Sequence, residues 1–209
     1  MIQKNTQLHI IMKFHRLKKF QVVAFTCFLI YVPLHAAEKP KAGNAFDRKL
    51  ELQGIKFHVT CPNKGSINLL TIVPSGLTSD NKKIEVEIGG SVTGAEVEDL
   101  NADGSPEIYI YTQSAGSGSY GGVIAYAANK KKSLSQVTFP DLADDKTASK
   151  GYSGHDEFAL VENRLVRRFK LFMEGDINVN PSGKTRQIQY RLDAGEAGWI
   201  LRLDKVIEF

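Results

Sequence analysis

Cysteine is scarce in this chain of 209 residues, which contains only two, Cys27 and Cys61. Cys27 falls within an N-terminal segment that we expect to be removed, so one thiol would remain. A single thiol cannot close a disulfide within its own chain, which excludes a disulfide-stapled mini-protein. Cys61 is then either buried in a strand or paired with another chain.

Histidine is scarce too, because only His58 and His155 follow residue 36. A zinc site normally needs at least three protein ligands, which argues against one here. Ser153, His155 and Asp156 are the residue types of a Ser-His-Asp hydrolase, but no Gly-x-Ser-x-Gly motif places a nucleophile against the histidine. One interpretation is a secreted hydrolase that uses His155 and Asp156. We favour the other, a non-enzyme in which polar side chains fix a loop ahead of a strand.

The chain also lacks a hydrophobic run of the ~20 residues that a membrane-spanning helix needs. The apolar run from Phe20 to Val32 is shorter, follows five basic residues and leads into the small residues Ala36 and Ala37. That order is typical of a secretory signal peptide. We therefore predict that residues 1–36 are cleaved near Ala36 and that the protein is periplasmic, without a membrane anchor.

The positive charge of the chain is concentrated in this leader. The whole chain has 27 basic and 23 acidic residues, and five of the basic ones lie in residues 1–36, which contain no acidic residue. The remaining 22 basic and 23 acidic residues give a net charge of about −1. Nucleic-acid binding depends on clustered positive charge, so this balance argues against a nucleic-acid partner.

Long amphipathic helices are missing after the leader, and period-two alternation of apolar and polar residues takes their place. Such alternation is typical of strands with one buried face, and short turns rich in Gly, Asn and Pro separate the segments. We predict an all-β fold, an antiparallel sandwich or barrel-like single domain at residues 54–209. Residues 37–53 are a polar N-terminal segment, either a linker or an amphipathic turn. The clearest alternating segments are residues 55–59, 84–88, 108–111, 187–192 and 199–203.

The Asp/Asn loop (residues 99–107, DLNADGSPE) has the start of a calcium-binding pattern. Asp99, Asn101 and Asp103 place oxygen ligands at alternate positions before a glycine. The bidentate glutamate of the EF-hand is absent, because the twelfth position is Ile110. The same residues also suit a tight turn without a metal. Weak calcium binding and a metal-free turn both remain open, and we expect no other cofactor.

The Ser/Gly/Tyr loop (residues 114–122) is longer than the two to five residues of ordinary hairpins. Its nine residues are small or aromatic, and none is charged. Glycines let backbone N–H groups approach a partner, serine hydroxyls both donate and accept, and Tyr120 adds a large contact surface. Recognition of a partner and simple mobility are the two interpretations.

Five segments, in this order, resemble the periplasmic inhibitors of i-type (invertebrate-type) lysozyme. They cover roughly residues 95–209, and we recognise no such resemblance in residues 38–91. The segments are residues 99–107 (DLNADGSPE), 117–120 (SGSY), 151–158 (GYSGHDEF), 164–169 (RLVRRF) and 195–199 (GEAGW).

The resemblance implies a β-sandwich or barrel-like inhibitor whose Ser-Gly-Ser loop enters the substrate cleft of an i-type lysozyme. Dimers are known among such proteins, so it also implies a homodimer as one arrangement. The residues implicated in lysozyme binding are Ser117, Gly118, Ser119 and Tyr120. A supporting loop would contain Tyr152, His155 and Asp156. The alternative function is a periplasmic calcium- or glycan-binding β-module centred on Asp99.

Overall fold

The computed structural model describes residues 44–177 and 179–209. This part of the chain forms twelve β-strands and one short 3-10 helix, so the prediction of an all-β fold is confirmed. The elements are β1 (Phe46–Leu52), β2 (Ile55–Cys61), β3 (Ile67–Ser75), β4 (Ile84–Gly89), β5 (Ser91–Glu98), β6 (Glu107–Gln113), β7 (Gly121–Asn129), β8 (Ser133–Thr138), the 3-10 helix (Leu142–Asp144), β9 (Glu157–Val161), β10 (Arg164–Lys170), β11 (Thr185–Ala194) and β12 (Trp199–Glu208).

The strands form two sheets. The smaller has the order β1-β2-β3-β4 and is antiparallel throughout. The larger has the order β5-β6-β7-β8-β12-β11-β10-β9 and is antiparallel except for a short parallel contact between β8 and β12. Its first and last strands approach each other where the Leu160 N–H of β9 donates to Glu96 Oε2 of β5 at 2.8 Å. The larger sheet is therefore a nearly closed barrel.

Strand β6 belongs to two cores at once. Ile108 and Ile110 pack with Phe57 and Ile72 in the layer between the small sheet and the barrel. Tyr109, on the opposite face of β6, is buried inside the barrel. Since successive strand residues point to opposite faces, a strand buried on both sides has no room for a polar stripe. This burial explains the run Ile108–Tyr111.

The N-terminal predictions have different outcomes. The predicted signal peptide and its cleavage near Ala36 lie outside the described residues. Within the segment interpreted as a linker or an amphipathic turn, Phe46–Leu52 form β1, and Phe46 enters the first core. Cys61 ends β2 and is buried, in agreement with the first of its two interpretations. Among the described residues, no helix is long and apolar enough to cross a bilayer.

Candidate functional site

The Ser/Gly/Tyr loop is closed by hydrogen bonds between its own residues. The Ser114 N–H donates to the Tyr120 carbonyl at 2.8 Å, and the Tyr120 N–H donates to Ser114 Oγ at 2.9 Å. Inside this closure the Ser119 N–H donates to the Gly116 carbonyl at 3.0 Å. Residues 114–120 connect β6 to β7, while Gly121 and Gly122 are already part of β7. The loop thus has a defined backbone path.

The supporting loop (residues 151–156) packs against the Ser/Gly/Tyr loop. The His155 N–H donates to the Gly118 carbonyl at 3.0 Å and to the Ser119 carbonyl at 3.2 Å. Gly154 lies so close to Gly118 that a Cβ atom at Gly154 would overlap the Gly118 carbonyl oxygen. Its φ of +87° also lies in the region that favours glycine. The two loops therefore fit together at a position that only glycine satisfies.

A buried carboxylate, that of Asp156, joins three parts of the chain. Its Oδ1 accepts a hydrogen bond from Arg167 Nε, and its Oδ2 accepts one from the Tyr152 hydroxyl and another from the Gly121 N–H, each at 2.7 Å. The Asp156 side chain is 0% exposed and that of Arg167 only 5%. Arg167 lies on β10, so this ion pair places both charges inside the fold.

Arg167 is surrounded by aromatic rings as well as by its ion-pair partner. Its Nη2 donates to the Tyr152 hydroxyl at 2.7 Å, and its guanidinium carbon lies 4.8 Å from the centre of that ring. Burial, the largest single cause, would lower the pKa of Arg167, but the Asp156 carboxylate together with Tyr152 and Tyr190 raises this pKa above its usual value. Burial, with Asp156 as a second cause, raises the pKa of Tyr152. The site therefore keeps a charged arginine and a neutral tyrosine side by side.

The outer surface of the site consists of exposed loop residues beside a groove. Ser117 is exposed, and Tyr120 is 50% exposed with its ring edge-on to Tyr152 at 5.8 Å between ring centres. Gly118 lies beneath that ring, since a Cβ atom at Gly118 would come within 2.5 Å of Tyr120 Cε2. The neighbouring groove has a volume of about 830 Å³. Its walls include Gln136, Phe139, Pro140, Leu142, Tyr152 and Arg167.

The Asp/Asn loop forms a separate cluster of oxygen atoms. Carboxylate oxygens of Asp99, Asp103 and Glu107 lie within 4.8 Å of one another. The Asn101 side chain contacts Asp103, whose N–H donates to Asn101 Oδ1 at 3.1 Å. Burial, assisted by the nearby aspartates, raises the pKa of Glu107 to about 8 although the Leu100 N–H opposes this change. The donor set is of the kind that calcium prefers, and these residues are the ones that could hold it.

Residues 81–149 match the family described as periplasmic lysozyme inhibitor of I-type lysozyme. The resemblance to this inhibitor family is confirmed. The matched span differs from the expected residues 95–209, because it includes residues 81–94 and ends before three of the five segments that carry the resemblance. The matched span begins just before β4, ends after the 3-10 helix, and contains both the Asp/Asn loop and the Ser/Gly/Tyr loop. No curated protein and no solved structure matches the chain.

The structure brings together all seven residues that the inhibitor resemblance implicated. Ser117, Gly118, Ser119 and Tyr120 lie on one loop, and the supporting residues Tyr152, His155 and Asp156 lie directly against it. Asp99, Asn101 and Asp103 belong to the other loop, at the opposite end of β6. Asp156 Oδ1 accepts from Arg167, and Oδ2 accepts from Tyr152 and Gly121. These bonds hold the two loops together and lend no support to a hydrolase triad.

Three roles in the Ser/Gly/Tyr loop and the Asp/Asn loop were not predicted from the sequence: those of Gly121, of Asp156 as the partner of Arg167, and of Glu107. The first two depend on contacts between segments distant in the chain. Glu107 had a detectable signal, since it follows Asp99, Asn101 and Asp103 at the ninth position of the loop. The EF-hand pattern places its glutamate at the twelfth position, which is Ile110 here.

Proposed function

We propose that this protein inhibits an i-type lysozyme by inserting the Ser/Gly/Tyr loop into the substrate cleft of the enzyme. The observation that carries the proposal is an uncharged loop with exposed Ser117 and Tyr120, held by hydrogen bonds to a second loop. It lies within the span that matches the inhibitor family. The family also supports a periplasmic location, which agrees with export through the predicted leader.

The chemistry of the loop suits a glycosidase cleft. A lysozyme cleft presents two carboxyl groups, one protonated and one ionised. The Ser117 hydroxyl can donate to these groups, and the Ser119 hydroxyl can do so in exchange for its long 3.4 Å bond to the Gly116 carbonyl. Hydrogen bonds to an ionised partner contribute ~1.5–3 kcal/mol each. Tyr120 would fill a sugar subsite, and truncation of a central aromatic anchor commonly costs ~2 kcal/mol or more. Because the loop is neutral, insertion buries no additional charge in the cleft.

The test is a lysis assay on peptidoglycan with i-, c- and g-type lysozymes. The inhibitor is the exported protein, purified from cells that express the full chain. We expect stoichiometric and selective inhibition of the i-type enzyme. Inhibition of another class alone would keep the loop mechanism and change the partner, whereas full activity of all three enzymes would refute the proposed function.

Matched variants connect the inhibition to the loop. We expect Ser117→Ala and Tyr120→Ala to abolish inhibition and to leave the fold intact, because both residues lie at the surface and outside the two cores. Tyr120→Ala should lower the melting temperature slightly, since its ring contacts Tyr152. Ser79→Ala and Phe209→Ala are controls, since these residues are also exposed but belong to other parts of the surface. Unchanged inhibition by the two loop variants would refute the assignment of the loop.

A second candidate function is a periplasmic calcium- or glycan-binding module. The convergence of the Asp99, Asp103 and Glu107 carboxylates favours its calcium form. Calcium binding is compatible with inhibition, because the Asp/Asn loop and the Ser/Gly/Tyr loop lie at opposite ends of β6. As a sole function it predicts calcium-dependent stability without inhibition of any lysozyme. Homodimer formation remains a prediction from the family resemblance.

A further inference from the structure

The buried pair of Asp156 and Arg167 raises the question of what it contributes to the protein. A buried ion pair is weak evidence for stability, because the desolvation of two charges offsets much of their attraction. Apolar side chains of similar size would fill the same space without that cost. The pair is therefore better explained by a role in fixing one conformation of the surrounding segments than by a role in stability.

The partners of the pair lie in the two loops of the candidate site. Asp156 accepts from the N–H of Gly121, the residue that directly follows Tyr120, while Arg167 reaches the carboxylate from β10. Gly121 must be small for this approach, since a Cβ atom there would come within 2.6 Å of Asp156 Cβ and 2.8 Å of the Phe158 ring. One carboxylate thus fixes the end of the Ser/Gly/Tyr loop to the barrel.

Tyr152 and His155 extend this connection to the exposed residues. Tyr152 is held by both Asp156 and Arg167, and its ring supports the edge of Tyr120. The His155 N–H binds the carbonyls of Gly118 and Ser119. These contacts are made with Gly118, Ser119 and Tyr120, which are residues assigned to lysozyme binding. The buried pair is therefore linked to the exposed surface through backbone and ring contacts.

We propose that Asp156 and Arg167 are positioning residues that hold the Ser/Gly/Tyr loop in its binding conformation before it meets the lysozyme. The proposal rests on the proposed function. A loop that is already ordered loses less conformational entropy on binding, so an ordered loop binds more tightly with the same contacts. Loss of the pair weakens inhibition although both side chains are buried.

The first experiment compares Asp156→Asn with the unaltered exported protein. Asparagine keeps the shape of the side chain but removes the charge that Arg167 requires. We expect amide hydrogen exchange at Gly121 and His155 to become at least roughly tenfold faster, with unchanged exchange in β2 and β3. Inhibition of the i-type lysozyme should weaken on the order of tenfold or more.

Val59→Ala is the matched control for a purely structural role. Val59 is fully buried in the first core and contacts neither loop. It should lower the melting temperature and leave both the loop exchange and the inhibition constant unchanged. If Val59→Ala weakens inhibition as much as Asp156→Asn at equal loss of stability, or if Asp156→Asn leaves loop exchange unchanged, the proposal is refuted.

Tyr152→Phe tests the same proposal if Asp156→Asn does not fold. It removes only the hydroxyl that bridges Asp156 and Arg167, so we expect a smaller increase in loop exchange and a smaller loss of inhibition. No change in either quantity would overturn the proposal. The exchange measurement requires no lysozyme. A protein that fails to inhibit but shows the expected exchange would refute the proposed function and leave the positioning of the loop intact.

Discussion

Gly154 lies at a close contact between the two loops of the candidate site. Alanine there would overlap the Gly118 carbonyl and would adopt a φ of +87°. We expect Gly154→Ala to cost about 1–3 kcal/mol of unfolding free energy, because it adds a clash to backbone strain. Urea unfolding measures this, and inhibition should fall together with stability because the Ser/Gly/Tyr loop is displaced.

Gly54→Ala separates the clash from the strain. Gly54 has a similar φ of +83° but has no heavy atom within 4 Å of the position of an added Cβ. It should show the conformational cost alone and normal inhibition. Equal effects of the two substitutions on inhibition would contradict the account of the loop contact.

Glu107 is a single residue with a pH-dependent effect on stability. Its pKa is raised from 4.5 to about 8 in the folded protein, mainly by burial. The folded state then binds this proton more tightly than the unfolded state, so the contribution of Glu107 to stability is fully present below pH 4.5 and is lost as the pH rises through about 8. In chelator, we expect urea unfolding to show a loss of a few kcal/mol over this window. Glu107→Gln should remove most of the slope, and an identical slope in that variant would contradict the assignment.

At the scale of elements, the clearest alternation in the sequence located five of the twelve strands in the described residues, namely β2, β4, β6, β11 and β12. Strands β2 and β11 have this pattern. In β6 both faces are buried, whereas the sequence interpretation expected one buried face. Strand β1 was missed because most of its residues are exposed and only Phe46 is buried. The parallel contact between β8 and β12 was also unpredictable, because it depends on how distant segments meet.

The site was predictable to the extent that it is local. The composition of the Ser/Gly/Tyr loop is unusual for a hairpin, and its position between two alternating strands was visible. The alternation of β10 puts Arg167 on the same face as the buried Leu165, where its charge needs a carboxylate partner. It did not identify Asp156, because that contact depends on the register of β9 with β10 and on the path of the supporting loop.

The Asp/Asn loop is the element whose metal binding can be tested by itself. If calcium binds Asp99, Asp103 and Glu107, it stabilises the folded state by about 2.7 kcal/mol at a calcium concentration of 100 times Kd. We expect calcium to raise the melting temperature, chelator to lower it, and Glu107→Gln to weaken the response. A melting temperature that is the same with and without millimolar calcium would establish that the Asp/Asn loop is a metal-free turn.

At the scale of the whole molecule, the matched span and the proposed mechanism depend on the rest of the chain. Residues 81–149 contain the Ser/Gly/Tyr loop, but Asp156 and Arg167, which fix its end, follow that span. Strand β6, which leads into the loop, is buried between the small sheet and the barrel interior. Both sheets therefore contribute to the position of the loop.

The most direct test of the central claim is the kinetic pattern of inhibition of an i-type lysozyme acting on a soluble chito-oligosaccharide. If the Ser/Gly/Tyr loop occupies the cleft, the unaltered protein raises the apparent KM, leaves kcat unchanged and acts at a one-to-one ratio. Tyr120→Ala should lose this effect. A reduced kcat at constant KM, or full inhibition by Tyr120→Ala, would show that the loop does not occupy the cleft.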